Sequence, residues 1–247
     1  MDIKRLVIPY KDIYTTVYVI HTALGDVLFD TGAGEADAEQ YILPFLAKQG
    51  VTADTLKYVV ISHNHRDHAP GLPRIKQEFP SATVVASDAD LSDLTVPSDG
   101  VVLLDVLRII PTPGHDVDCC SLLDTRTDTL LTSDALQMYG IVSESPLGAH
   151  LRAPSAYLHT LDVIAALSPN TILTAHDFQP FGYRLDGAEH IEEALAICRA
   201  TYQRLHTVVA AHPTADTETI RRLYATHAPW LPIGDLAIEA MKNSIDS

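Results

Sequence analysis

Residues 62–71 read SHNHRDHAPG and place His63, His65, Asp67 and His68 within six positions. Imidazole and carboxylate together are the donor mixture of divalent transition-metal sites. In an extended segment, histidines two residues apart put both rings on one side. More of the same residue types stand at the ends of other predicted strands: Asp30 in FDTG, His115 in PTPGH, Asp134 in TSDA and His176 in TAHD. His63, His65, Asp67, His68, His115, Asp134 and His176 make seven candidate ligands, too many for one tetrahedral ion. They suit two ions that share a carboxylate and a hydroxide, which is the chemistry of hydrolysis. No cysteine is among them, so the set does not resemble the closed thiolate shell of a structural zinc site.

The elements that must deliver these side chains can be read from hydrophobic periodicity. KYVVIS (57–62) is a continuous apolar run, the mark of a strand buried on both faces, and it ends at the histidine cluster. YTTVYVI (14–20) and DVLFD (26–30) flank Leu24 and Gly25 in a hairpin pattern. Residues 35–49 are helical in character, with Pro44 expected to kink or shorten the helix. GLPRIKQEF (71–79) predicts a short helix and ATVVAS (82–87) the next strand. VVLLDVLRIIPT (101–112), SLLDT (121–125) and TLLTS (129–133) continue the β pattern. A helix opening at Pro154 spans 154–167, and the strand TILTA (171–175) follows it. From 188 onward the pattern is helical, with a cap expected at Asp216 or Thr217. The expected organisation is an α/β core over 1–187 and a helical C-terminal extension over 188–247.

At these residues the sequence resembles the metallo-β-lactamase superfamily. H-x-H-x-D-H stands as His63-Asn64-His65-Arg66-Asp67-His68, preceded by FDTG around Asp30 and followed in order by His115, Asp134 and His176. The resemblance spans roughly residues 14–180. It implies an αββα sandwich of the α/β class with metals at one edge. It also implies that His63, His65 and His115 hold one ion, that Asp67, His68 and His176 hold the other, and that Asp134 bridges. Asp30 is implied to orient the cluster without binding metal. The implied cofactors are two divalent ions, zinc in first place with iron or manganese as alternatives. They would acidify a shared water and polarise a substrate carbonyl. Asp134 and Asp67 are the candidate catalytic residues, Asp67 to orient the nucleophile or pass a proton to the leaving group. Met138, Tyr139, His150 and Arg152, all beyond Asp134, are candidate substrate-pocket residues.

An exported β-lactamase would carry a leader and lack the aspartate between the histidines. This sequence has Asp67, and its opening MDIKRLVIPYKDIYTT has no apolar run with a small-residue cleavage site. The motif order and helical tail resemble the thioesterase and lactonase branches, glyoxalase II-like enzymes included. Departures from two of those are visible. Phe178 lacks the phenol that contacts glutathione in glyoxalase II, and ALQMYGIVSESP after Asp134 lacks the lysine and tyrosine that bind that ligand. Acyl-homoserine lactonases usually carry tyrosine three residues beyond the bridging aspartate, where Gln137 stands here. The expected function is therefore hydrolysis of a small-molecule thioester, lactone or ester. A mononuclear-iron persulfide dioxygenase on the same frame is one rival, and a metal-binding signalling module without turnover is another.

Composition narrows the partners. The 247-residue chain carries a net charge of −15, which opposes contact with a phosphate backbone, so no nucleic-acid partner is expected. No apolar stretch reaches the length of a transmembrane helix, so no membrane association is expected either. Three cysteines form no even framework, which suits a reducing, cytoplasmic setting. The oligomeric state is left open by the sequence.

Overall fold

The computed structural model describes residues 2–141, 148–228 and 232–245. The protein is of the mixed α/β class with two sheets. The chain divides into two compact units, Met1–Pro111 with Cys120–Thr125 and Thr112–Cys119 with Arg126–Ser247.

The first unit opens with an antiparallel run of β1 (Ile3–Tyr10), β2 (Ile13–Thr22) and β3 (Gly25–Phe29). Hydrophobic pattern does not reveal β1, because IKRLVIPY alternates poorly and contains Pro9. As an edge strand of its sheet it tolerates that proline. Next come α1 (Glu35–Asp37), a π-helical turn (Ala38–Ile42) and α2 (Leu43–Lys48). The helix expected over 35–49 is thus interrupted. Pro44 lacks the N–H that would continue the ladder, and the turn ahead of it widens from α to π.

β4 (Leu56–Val60), α3 (Leu72–Glu78), β5 (Thr83–Ala86) and β6 (Leu94–Thr95) complete a sheet of order β1-β2-β3-β4-β5-β6. β3, β4 and β5 are parallel neighbours, so the loops that leave their C-terminal ends start along one edge. Ala38, Ile42, Leu46, Leu72 and Ile75 share one buried cluster with Val17, Val19, Leu28 and Val59 of the sheet. Each large apolar side chain so buried contributes about 1.5–3 kcal/mol, which makes this edge a firm base for the loops it carries. Within the β pattern of 101–112, β7 (Val101–Leu103) and β8 (Leu107–Pro111) form a hairpin. Leu104 and Asp105 take φ of 49° and 62°, and this left-handed pair reverses the chain inside the run. β9 (Cys120–Asp124) pairs antiparallel with β8.

In the second unit β10 (Thr129–Ser133) and β11 (Thr171–Phe178) are parallel, and β12 (Gly182–Asp186) runs antiparallel to β11. α4 (Pro154–Leu167) has the bounds its sequence predicts, with proline in the first turn, where no N–H is needed. α5 (Ala188–Ala211) packs against α4 and β12, and against the two helices that follow it, α6 (Thr217–His227) and α7 (Asp235–Ile245). Asp216 caps α6 by accepting the Thr219 N–H at 2.7 Å. Among the described residues no helix is long and apolar enough to cross a membrane.

Candidate metal centre

In the first unit the histidine loop is built around Asp30. This residue follows β3 with φ 66°, a left-handed conformation that Asp adopts more readily than most side chains. Its buried carboxylate accepts the Ser62 N–H at 2.7 Å on Oδ1, and on Oδ2 the Ser62 hydroxyl at 2.8 Å and His68 Nδ1–H at 2.9 Å. Thr31 then ties the loop down. Its N–H and hydroxyl donate to the His68 carbonyl at 2.7 and 2.9 Å, and the hydroxyl also reaches the Ala69 carbonyl at 3.0 Å. Gly71 ends the loop against the same residue, where a Cβ would fall 1.9 Å from the Thr31 carbonyl oxygen.

These bonds decide which ring nitrogens face inward. The Ser62 hydroxyl gives its proton to Asp30, so at 3.0 Å it accepts one from His63 Nδ1. His63 Nε2 therefore keeps a lone pair, and it stands 2.9 Å from His65 Nδ1. His68 follows the same logic. Its Nδ1–H goes to Asp30, and Nε2 lies 3.5 Å from Asp67 Oδ2. The ligand atoms of His63 and His65, of His63 and His68, and of Asp67 and His68 all lie within 4.8 Å of each other. Lone pairs brought this close repel unless a proton or a cation lies between them.

The second unit gathers the remaining three candidates. Ser133 of β10 pairs with Thr174 of β11, and this parallel register brings Asp134 beside His176. Asp134 Oδ2 is 3.4 Å from His115 Nε2 and 3.4 Å from His176 Nε2. His115 donates Nδ1–H to the His150 carbonyl at 3.2 Å, so its Nε2 lone pair is the atom turned to the carboxylate. Two donors at about 2.0–2.1 Å from one tetrahedral ion stand about 3.4 Å apart. One carboxylate oxygen is thus at ligand spacing from two imidazoles. Buried nitrogen and oxygen donors, with ring orientations fixed from behind by Asp30, Ser62 and His150, fit a divalent ion of the zinc kind.

The four candidate pocket residues have different surroundings. Met138 is fully buried; its N–H donates to Cys198 Sγ at 3.3 Å and its carbonyl accepts the Thr201 hydroxyl at 3.2 Å, which fastens it to α5. Tyr139 is half-buried and its N–H donates to the Gln179 carbonyl at 3.1 Å. The His150 ring lies 4.9 Å from that of His115. Arg152 is exposed and donates to Asp116 Oδ2 at 3.0 Å. Residues 142–147 of the segment after Asp134 lie outside the described residues. Behind Met138, burial raises the Cys198 thiol above its ordinary value and raises the Tyr157 phenol well above its own, so both stay neutral.

Ser62 and Gln137 touch the candidate ligands although sequence reasoning assigns neither a place there. A polar residue closing an apolar strand directly before the first histidine is a usable signal for Ser62. Gln137 offers a weaker one, a lone amide within the otherwise apolar ALQM.

Comparison with known proteins follows the same lines. The family model of the metallo-β-lactamase superfamily matches residues 10–100. The lactamase-like protein notP of an Aspergillus species is 26% identical, over 66% of this chain and 49% of that protein. An atrochrysone carboxyl ACP thioesterase of Aspergillus fumigatus is 24% identical, over 56% of this chain and 45% of that protein. The chain spans about half the length of the curated relatives it matches. The crystal structure of a metallo-β-lactamase family protein from Thermus thermophilus superposes with a TM-score of 0.70, covering 99% of this chain and 93% of that one. At 16% identity, that likeness is one of fold.

Proposed function

Starting from a chain with the metallo-β-lactamase fold, we propose a metal-dependent hydrolase that cleaves a thioester, lactone or ester bond of a small molecule. Asp134 carries this reading: its Oδ2 lies 3.4 Å from His115 Nε2 and 3.4 Å from His176 Nε2, ligand spacing from each imidazole. His63, His65 and His115 would hold one ion and Asp67, His68 and His176 a second, with Asp134 as the carboxylate available to both. Divalent ions bound there supply Lewis acidity, which acidifies water and polarises a carbonyl.

The chain's own residues do the rest. Ser62, Asp30 and the His150 carbonyl hold the rings of His63, His68 and His115 in fixed directions, so little must reorganise when ligands bind. Asp67 would orient the nucleophile or pass a proton to the leaving group. The thioesterase relative supports placing acyl thioesters first in a substrate panel. A net charge of −15 favours a small molecule over a nucleic acid, and three buried cysteine thiols suit a cytoplasmic setting.

Asp134→Ala and His115→Ala are expected to abolish turnover across a panel of thioesters, lactones and esters and to reduce bound metal. Full activity in either variant would sink the assignment. Metal analysis of protein purified without added metal separates the rival: about one iron per chain and no zinc would indicate the dioxygenase.

A further inference from the structure

Gln137 is only 3% exposed, and both ends of its carboxamide are in use. Nε2–H donates to the Asp134 carbonyl at 2.7 Å, and Oε1 accepts the His150 N–H at 2.9 Å. The His150 carbonyl in turn accepts His115 Nδ1–H at 3.2 Å. Followed round, these bonds make a ring. They run from Asp134 through Gln137 and His150 to His115, whose Nε2 returns to face Asp134 Oδ2 across 3.4 Å. Three links of the ring are hydrogen bonds, and the fourth is a pair of candidate ligand atoms.

We infer that Gln137 is a positioning residue that sets the relative placement of Asp134 and His115 for metal binding. Asp134 follows β10, whereas His115 lies in the loop that precedes Asp116 and Cys119, about twenty residues earlier in the chain. Gln137 joins them through the backbone of His150, and no side chain other than its own is needed for that link. Its N–H faces the Tyr157 hydroxyl at 3.4 Å and its carbonyl accepts the Gly140 N–H at 2.8 Å, so its main chain is held as well. A buried amide left unpaired is costly, so the carboxamide itself resists leaving either partner. The position where the resemblance to acyl-homoserine lactonases would put a tyrosine holds here a side chain bonded at both ends to the protein's own backbone.

This inference rests on the metal-centre reading, and the test separates the two. Wild type, Gln137→Met and Gln137→Glu are prepared as apo-protein. Zinc affinity is measured by chelator competition, the visible spectrum is recorded after cobalt loading, and the apo thermal midpoint is taken for each. Methionine copies the length of glutamine with neither bond, and zinc affinity should fall about 10–100-fold with a changed cobalt spectrum. Glutamate keeps the acceptor for His150 but sets an oxygen against the Asp134 carbonyl. It should lower affinity too, and it serves if the methionine variant does not fold. Wild-type affinity with an unchanged cobalt spectrum in Gln137→Met would overturn the role of Gln137 and leave the metal centre standing. A wild-type protein that binds neither zinc nor cobalt would overturn both.

Discussion

Asp30 reaches no proposed ion directly, yet it decides which nitrogens of His63 and His68 are available. Three donors converge on its carboxylate, and the proton positions of both rings follow from that. Asp30→Asn puts an N–H₂ group where one oxygen now accepts. The expected cost is about 1–3 kcal/mol in stability, read from the urea midpoint, and about a 10–100-fold loss of zinc affinity. A variant that loses stability with unchanged affinity would restrict Asp30 to holding the loop. The ligand candidates are legible in sequence because few residue types bind divalent ions and the motif spaces them tightly. The residues behind them are far less so. A hydrogen bond to the back of an imidazole can come from serine, aspartate or any carbonyl, and its partner can be dozens of positions away, as His150 is from His115.

At the scale of elements, parallel strand pairs do the gathering: β3 beside β4 for Asp30 and the histidine loop, β10 beside β11 for Asp134 and His176. Such strands read well as apolar runs. What the runs conceal is where they bend, as at Leu104 and Asp105, since a leucine with positive φ carries no turn signal. Gly71 shows a backbone constraint of the opposite kind, visible as a residue type and explained only by the approach of the Thr31 carbonyl. Gly71→Ala forces the loop away from Thr31 and is expected to cost at least about 1–3 kcal/mol, with reduced zinc affinity. Denaturation and chelator titration of that variant check both effects. Unaltered stability would mean that the loop and β3 separate more easily than their hydrogen bonds indicate.

For the whole molecule, the proposed ions act as ligands of the native state only. Zinc held free at 100 times its dissociation constant should add about 2.7 kcal/mol to the unfolding free energy, raising the thermal midpoint, and a strong chelator should reverse the shift. A midpoint indifferent to zinc and chelator would count against the proposed centre. Stability of this kind also depends on helices remote in sequence from the ligands. Met138, four residues after Asp134, is clasped on its N–H by Cys198 and on its carbonyl by Thr201, both on α5. The long helix is therefore not an interchangeable cassette. A chimera that joined residues up to Gly187 to the tail of a relative would need a small hydrogen-bonding residue at each of those two helix positions. Without them the graft would leave both main-chain polar groups of one buried residue unanswered, a short distance along the chain from the residue on which the proposed chemistry depends.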